Sequence, residues 1–214
     1  MKRNNTILLI AALVGAIVGA GTLSAQSPPI PAIAFDTYSQ GSNPQVGNTI
    51  GWEFTTDKAI YVTALGYYDY AADGLGASHD VGIFDVNTTL LLTSATVAAG
   101  TVEPVMGNTA FGSFRYHTLP IPQFLLPGTY RIGGVGADND PAQNSPVNLT
   151  VGEHITLANS YQTTSGTGIL TYPNIFVSGP TQPFSGPNFL FIPEPSVAVL
   201  LGVSSMLLLW RRRK

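Results

Sequence analysis

Short runs of alternating apolar and polar residues recur through the middle of the chain, separated by turn-forming clusters. Ile50, Trp52 and Phe54 fall on one face of a strand that begins near Thr49. Ile60, Val62 and Ala64 alternate with Tyr61, Thr63 and Leu65 in a longer strand running toward Tyr70, and Ala71 to Gly76 (AADGLG) breaks it. Val81 and Ile83 then alternate with Asp80, Gly82 and Phe84. The polar turn Asp85 to Thr89 leads into Leu90 to Val97, which reads as a hairpin. Ala98 to Gly112 reads as a loop, and Phe114, Tyr116 and Thr118 alternate with Arg115 and His117 in the next strand. Leu126-Pro127-Gly128-Thr129 is a turn of type II character, followed by a strand from Tyr130 that thins into Gly133 to Pro141. Glycines inside such a pattern signal a bulge or a close backbone approach. Ile155 with Leu157, Ile169 to Val177 and Phe189 to Ile192 are the remaining strands, the last placed at a sheet edge. This pattern predicts an all-β sandwich over 49–192. The lead-in over 26–48 is expected to hold a Pro-rich extended linker (QSPPIP) and a first strand.

The two ends of the chain follow a different pattern. Lys2 and Arg3 precede an apolar run, Ile7 to Val18, and small residues lead to a cut after Ala25 or Ala20. That order is expected of a secretory signal peptide over 1–25. At the other end, Pro193, Glu194 and Pro195 precede an apolar run from Val197 to Trp210. Arg211, Arg212, Arg213 and Lys214 follow at once. Two prolines lock φ and withhold backbone donors, so this step is expected to stay extended and accessible. The apolar run suits a bilayer, and the four cations hold their end on the cytoplasmic side. At fourteen residues the run is shorter than the ~20 a spanning helix normally needs, which suits a transient anchor.

The stretch over 193–214 resembles the PEP-CTERM sorting signal of exopolysaccharide-producing Gram-negative bacteria. The resemblance implies a C-terminal transmembrane helix recognised by an exosortase, a membrane-embedded cysteine protease that removes the anchor. It also implies export through the secretion translocon, passage through the inner membrane, and release to the cell surface or an exopolysaccharide matrix.

Setting the ends aside changes the electrostatic picture. The whole chain has nine basic and twelve acidic residues, a formal charge of −3. Six of the nine cations lie in the two sorting segments. Lys58, Arg115 and Arg131 are then left against eleven of the twelve acidic residues, Glu194 lying in the tail, a formal charge of −8 for the body. Such a body does not neutralise phosphates, so nucleic acid is excluded as a partner. The chain has no cysteine, which removes disulfides and thiolate chemistry from an exported protein.

The segment from Ile50 to Ala137 carries, in order, GWEFTT, AIYVTALGYYDYAADGLGASHDVGIFD, LLLTSATVAAGT, GSFRYHTL and LLPGTYRIGG. It is similar to a DUF4082-like domain of bacterial surface proteins. That similarity implies a single jelly-roll-like β-sandwich, here flanked by the signal helix and the transmembrane helix, and it implies no catalytic residues.

Candidate chemistry is sparse. Asp138, Asn139 and Asp140 form an acidic loop able to offer several oxygens to Ca²⁺, although Asp and Asn are also the default residues of exposed turns. Asp69, Asp73, His79 and Asp80 form a second polar cluster, which neighbouring loops at one end of a sandwich would join to the first. Each is equally a solvated loop. His79, His117 and His154 lack the spacing of a metal or triad motif. Arg115 and Arg131, taken as lying on adjacent strands, suit cross-strand pairs with acidic residues. Trp52, Tyr67, Tyr68 and Tyr70 are dense enough to offer a glycan-stacking platform, with core packing as the competing role. The expectation is an exported, non-enzymatic surface or matrix protein without a required cofactor, with exopolysaccharide or another glycan as a partner. The alternative is a secreted carbohydrate-active hydrolase using carboxylates that spacing alone does not mark.

Overall fold

The computed structural model describes residues 27–38, 45–108, 112–138, 140, 142 and 146–194. The expected signal peptide with Ala25, Asn139, Pro195, the C-terminal apolar run and Arg211 to Lys214 lie outside the described residues. Among the described residues no helix is long and apolar enough to cross a membrane.

The described residues form fifteen strands, in order: β1 (Ile30–Pro31), β2 (Ile33–Ala34), β3 (Thr37–Tyr38), β4 (Thr49–Thr56), β5 (Ile60–Tyr70), β6 (His79–Asp85), β7 (Leu91–Val97), β8 (Val105–Asn108), β9 (Gly112–Leu125), β10 (Gly128–Val135), β11 (Pro146–Val147), β12 (Thr150–Val151), β13 (Ile155–Gln162), β14 (Ile175–Ser178) and β15 (Pro187–Pro193). They form an all-β sandwich. One sheet has the order β1-β15-β5-β9-β8, the other β14-β13-β4-β10-β6-β7, and two short pairs, β11-β3 and β12-β2, flank them. Every ladder between named strands is antiparallel. The chain changes between the two large sheets at β4–β5, β5–β6, β7–β8, β9–β10 and β14–β15 and stays within one sheet at the β6–β7, β8–β9 and β13–β14 hairpins.

The core lies where the inward faces meet. Trp52 and Phe54 of β4, Ile83 of β6 and Ile132 of β10 face Phe189 and Phe191 of β15 together with Val62 of β5. The Phe189 ring stacks on Trp52 at 5.8 Å and packs on Phe54 at 4.9 Å. Trp52 also donates its indole N–H to the Pro187 carbonyl at 3.0 Å, so its one polar atom is satisfied inside the core. Removing one such ring costs about 3–5 kcal/mol, through lost burial and the cavity left behind.

Several expectations change. The lead-in is not a free linker: Ile30 and Pro31 pair with β15, and Ala32 and Ile33 are fully buried. Part of the expected loop after Ala98 forms the short edge strand β8 against β9. The expected strand over 169–177 shrinks to β14. The expected edge strand at Phe189 runs inside its sheet, between β1 and β5, and extends through Pro193. Arg115 and Arg131 are not on adjacent strands but in opposite sheets, and each has an acidic partner, Asp69 and Glu53 respectively.

The segment after β13 lies over the outer face of the larger sheet, for a reason visible in the glycines. Gly51, Gly133 and Gly82 stand opposite one another on three adjacent strands. They leave a trough. A Cβ on Gly82 would come within 2.9 Å of Leu170, and one on Gly133 within 3.5 Å of Pro173. Arg131 secures the covering segment: its guanidinium lies over the Tyr161 ring at 3.4 Å and near the Tyr172 ring at 4.6 Å, while donating to Glu53 and to the Pro173 carbonyl. A flat, forked cation is needed to stack and donate in several directions at once. Arg131→Lys is therefore expected to lower stability by about 1–2 kcal/mol without unfolding the sandwich. A lowered urea midpoint with an unchanged slope is the result that checks it.

Candidate functional site: a sealed polar cluster at one end of the sandwich

Two carboxylates organise the connection between β5 and β6. Asp69, near the end of β5, accepts from the Gly74 amide at 3.1 and 3.2 Å and from Arg115 Nε at 2.6 Å. Asp140, arriving from the loop after β10, accepts from the amides of Gly76 and Ala77, each at 3.0 Å. It also receives His79 Nε2 at 2.9 Å. Between these anchors the backbone takes left-handed conformations at Ala71 (φ 68°) and Ala72 (φ 57°). Residues with a Cβ adopt that region at a cost of about 1 kcal/mol or more each. The connection is thus held in shape by its hydrogen bonds and not by its own preference.

His79 opens β6 and is fully buried, with its ring stacked on Tyr67 at 3.6 Å and only 8° from parallel. Its Nδ1 lies 2.8 Å from the Val135 carbonyl, an acceptor only. The ring thus bridges the Val135 carbonyl and the Asp140 carboxylate. Burial alone would raise the Asp140 carboxyl, but the hydrogen bonds from His79, Gly76 and Ala77 outweigh it and hold the group below its ordinary value. At Asp69 the balance is reversed. Burial pushes that carboxyl up, and the Arg115 guanidinium and Gly74 amide offset only part of the rise. Burial, followed by the charge of Asp140, also pushes the Tyr67 phenol up, and the hydroxyl has no hydrogen-bond partner among the described residues.

The expected union of the two acidic clusters is thus present, in the form of Asp140 meeting His79, but as a buried clamp and not as a solvated loop. Asp140 turns both carboxylate oxygens onto protein donors, while Asp138 is exposed and Asn139 lies outside the described residues. Among the described residues no group of three His, Cys, Asp or Glu side chains converges on a metal-sized site. The three histidines are dispersed. His117 contacts Glu103 at 2.8 Å, and His154 contacts Asp57 and Glu153, each at 3.0 Å. The aromatic platform is overturned as a set: Trp52, Tyr67 and Tyr68 are core residues, and of the four Tyr70 alone is exposed. β5 is buried on both faces near its end, so alternation there does not separate core from surface.

Elsewhere, a shallow cleft of about 420 Å³ lies between β6–β7 and the covering segment, lined by Asp80, Leu91, Ser94, Leu170 and their neighbours. Thr96 already donates to Asp80 at 2.6 Å. Pro193 and Glu194 are docked on the sandwich, the first paired opposite Ile60 and the second donating its amide to the Ala59 carbonyl at 2.9 Å.

No family model matches the chain, and no curated protein matches it. Among solved structures it is similar to the crystal structure of the infectious bursal disease virus VP2 subviral particle, at 10% identity and a TM-score of 0.26, over 88% of this chain and 50% of that one. It is also similar to the structure of the infectious bursal disease virus Gt strain, at 14% identity and a TM-score of 0.24, over 81% and 44%. The chain spans about half the length of these structures. Similarity at that TM-score carries no argument about function.

Asp140→Asn is expected to cost about 3 kcal/mol, because it breaks a buried pair and leaves His79 without its carboxylate. The sign of the pH effect follows from the depressed carboxyl. Its contribution is complete above the ordinary Asp value of about 4 and is lost as pH falls through the folded value. Urea titrations of both proteins between pH 7 and pH 2 should therefore show the stability gap narrowing on acidification. A gap that stays constant or widens would contradict the assignment.

Proposed function

We propose that this jelly-roll-like sandwich is the body of an exported, non-enzymatic protein of the cell surface or extracellular matrix, delivered by its N-terminal segment and released from a temporary C-terminal anchor by an exosortase-type protease. The observation that carries the reading is the ordered tail: Pro193-Glu194-Pro195, an apolar run and four terminal cations, in a chain whose other end reads as a secretory signal. The distribution of charge supports it. Among the described residues the cations are Lys58, Arg115 and Arg131. The two arginines are buried in ion pairs, 4% and 5% exposed, which leaves Lys58 at the surface. An acidic surface with so little positive charge suits a body that stays clear of anionic headgroups and nucleic acid once its addressing segments are gone. Exopolysaccharide or another neutral glycan is the partner class consistent with that surface.

The test is the intact mass of the protein recovered from the membrane and from the extracellular fraction, in cells with and without the processing protease. Extracellular material should lack Arg211 to Lys214, and cells without the protease should keep them in the membrane fraction. Extracellular material that retains these four residues would sink the proposal.

A further inference from the structure

The sorting motif begins inside the fold. β15 continues through Pro193, which stands opposite Ile60 of β5, and the Glu194 amide donates to Ala59. On its other side β15 pairs with β1, Phe191 opposite Ile30. Ile192, immediately before the motif, is 7% exposed. Lifting the end of β15 therefore breaks ladders on both sides and draws Ile192 and Phe191 out of the core. A protease needs the chain detached and extended around the bond it cuts, so cleavage here is limited by how often this local opening occurs.

From this we infer, building on the release proposed above, that the folded sandwich sets the upstream limit of tail removal: the Pro193–Glu194 bond is a protected bond, and hydrolysis falls on the C-terminal side of Glu194. Water adds across one peptide bond there, leaving a new carboxyl group on the body and a free amine on the departing tail, with no further reactant. The released body keeps a complete β15. Its new terminus lies at the end of the sheet where β1 also begins, because the two strands are antiparallel neighbours. A cut one residue earlier would remove the Glu194 amide that closes the β5–β15 ladder.

Two measurements test this. The first treats the purified full chain with a proline-specific endoprotease, in buffer and in denaturant, and identifies products by mass. Cleavage after Pro193 should be slower by at least about tenfold in buffer, the size expected when a local opening must precede the cut. Equal rates in both conditions would overturn the inference. The second determines the C-terminal residue of the extracellular protein. A chain that ends at Glu194 or beyond supports the inference, and one ending at Pro193 or earlier overturns it. A tail that is never removed would instead defeat the release reading, and the endoprotease comparison would then decide the protection on its own.

Discussion

Strand β15 is the last strand among the described residues and lies inside the smaller sheet, so the sandwich is incomplete until it has entered. Asn188 fixes its register. The side chain is fully buried and accepts from the Ile33 amide, donates to the Ile33 carbonyl at 2.8 Å, and donates to the Tyr116 hydroxyl at 2.9 Å. Slipping the strand by one residue would strand those groups without partners and move Phe189 and Phe191 off the core face. The same contacts hold the lead-in at Ile33, joining residues 155 positions apart in the chain. One buried amide thus ties together both ends of the folded body.

The charged groups are arranged on the same logic of enclosure. Asp69 with Arg115 and Asp140 with His79 hold the β5–β6 connection in a left-handed path, and Glu53 with Arg131 holds the covering segment on the outer face. Each is a buried or part-buried pair whose partners come from distant parts of the sequence. Their worth lies less in attraction, which desolvation largely offsets, than in the cost of leaving either partner buried alone. Residues that looked like site chemistry are therefore used to position backbone. What remains outside is an acidic, cation-poor surface.

Much of the fold was legible because the strands that alternate are those with one buried and one solvated face. β4, the β6–β7 hairpin and the turn before β10 stand where the pattern places them. It failed where that physical condition failed. β5 is covered on both faces near Tyr67 and Tyr68, so its aromatics looked like a platform. Ile30 and Ile33 sit in strands of two residues, too short to show a period. The glycines of β10 were readable as a bulge or close approach, but nothing local said that they lined up with Gly51 and Gly82 or that residues around Leu170 and Pro173 would cover them. The Asp69–Arg115 clamp, with partners 46 positions apart, carries no spacing signal at all, whereas the polar composition of the two acidic loops did indicate that they meet.

The dependence of the whole sandwich on β15 is tested most directly by comparing the unfolding of two truncated chains, residues 27–194 and residues 27–186. The longer chain should show one cooperative transition in urea by both tryptophan fluorescence and far-ultraviolet dichroism. The shorter one, lacking Asn188, Phe189 and Phe191, should show none. A cooperative transition at the same midpoint in the chain ending at residue 186 would contradict the account.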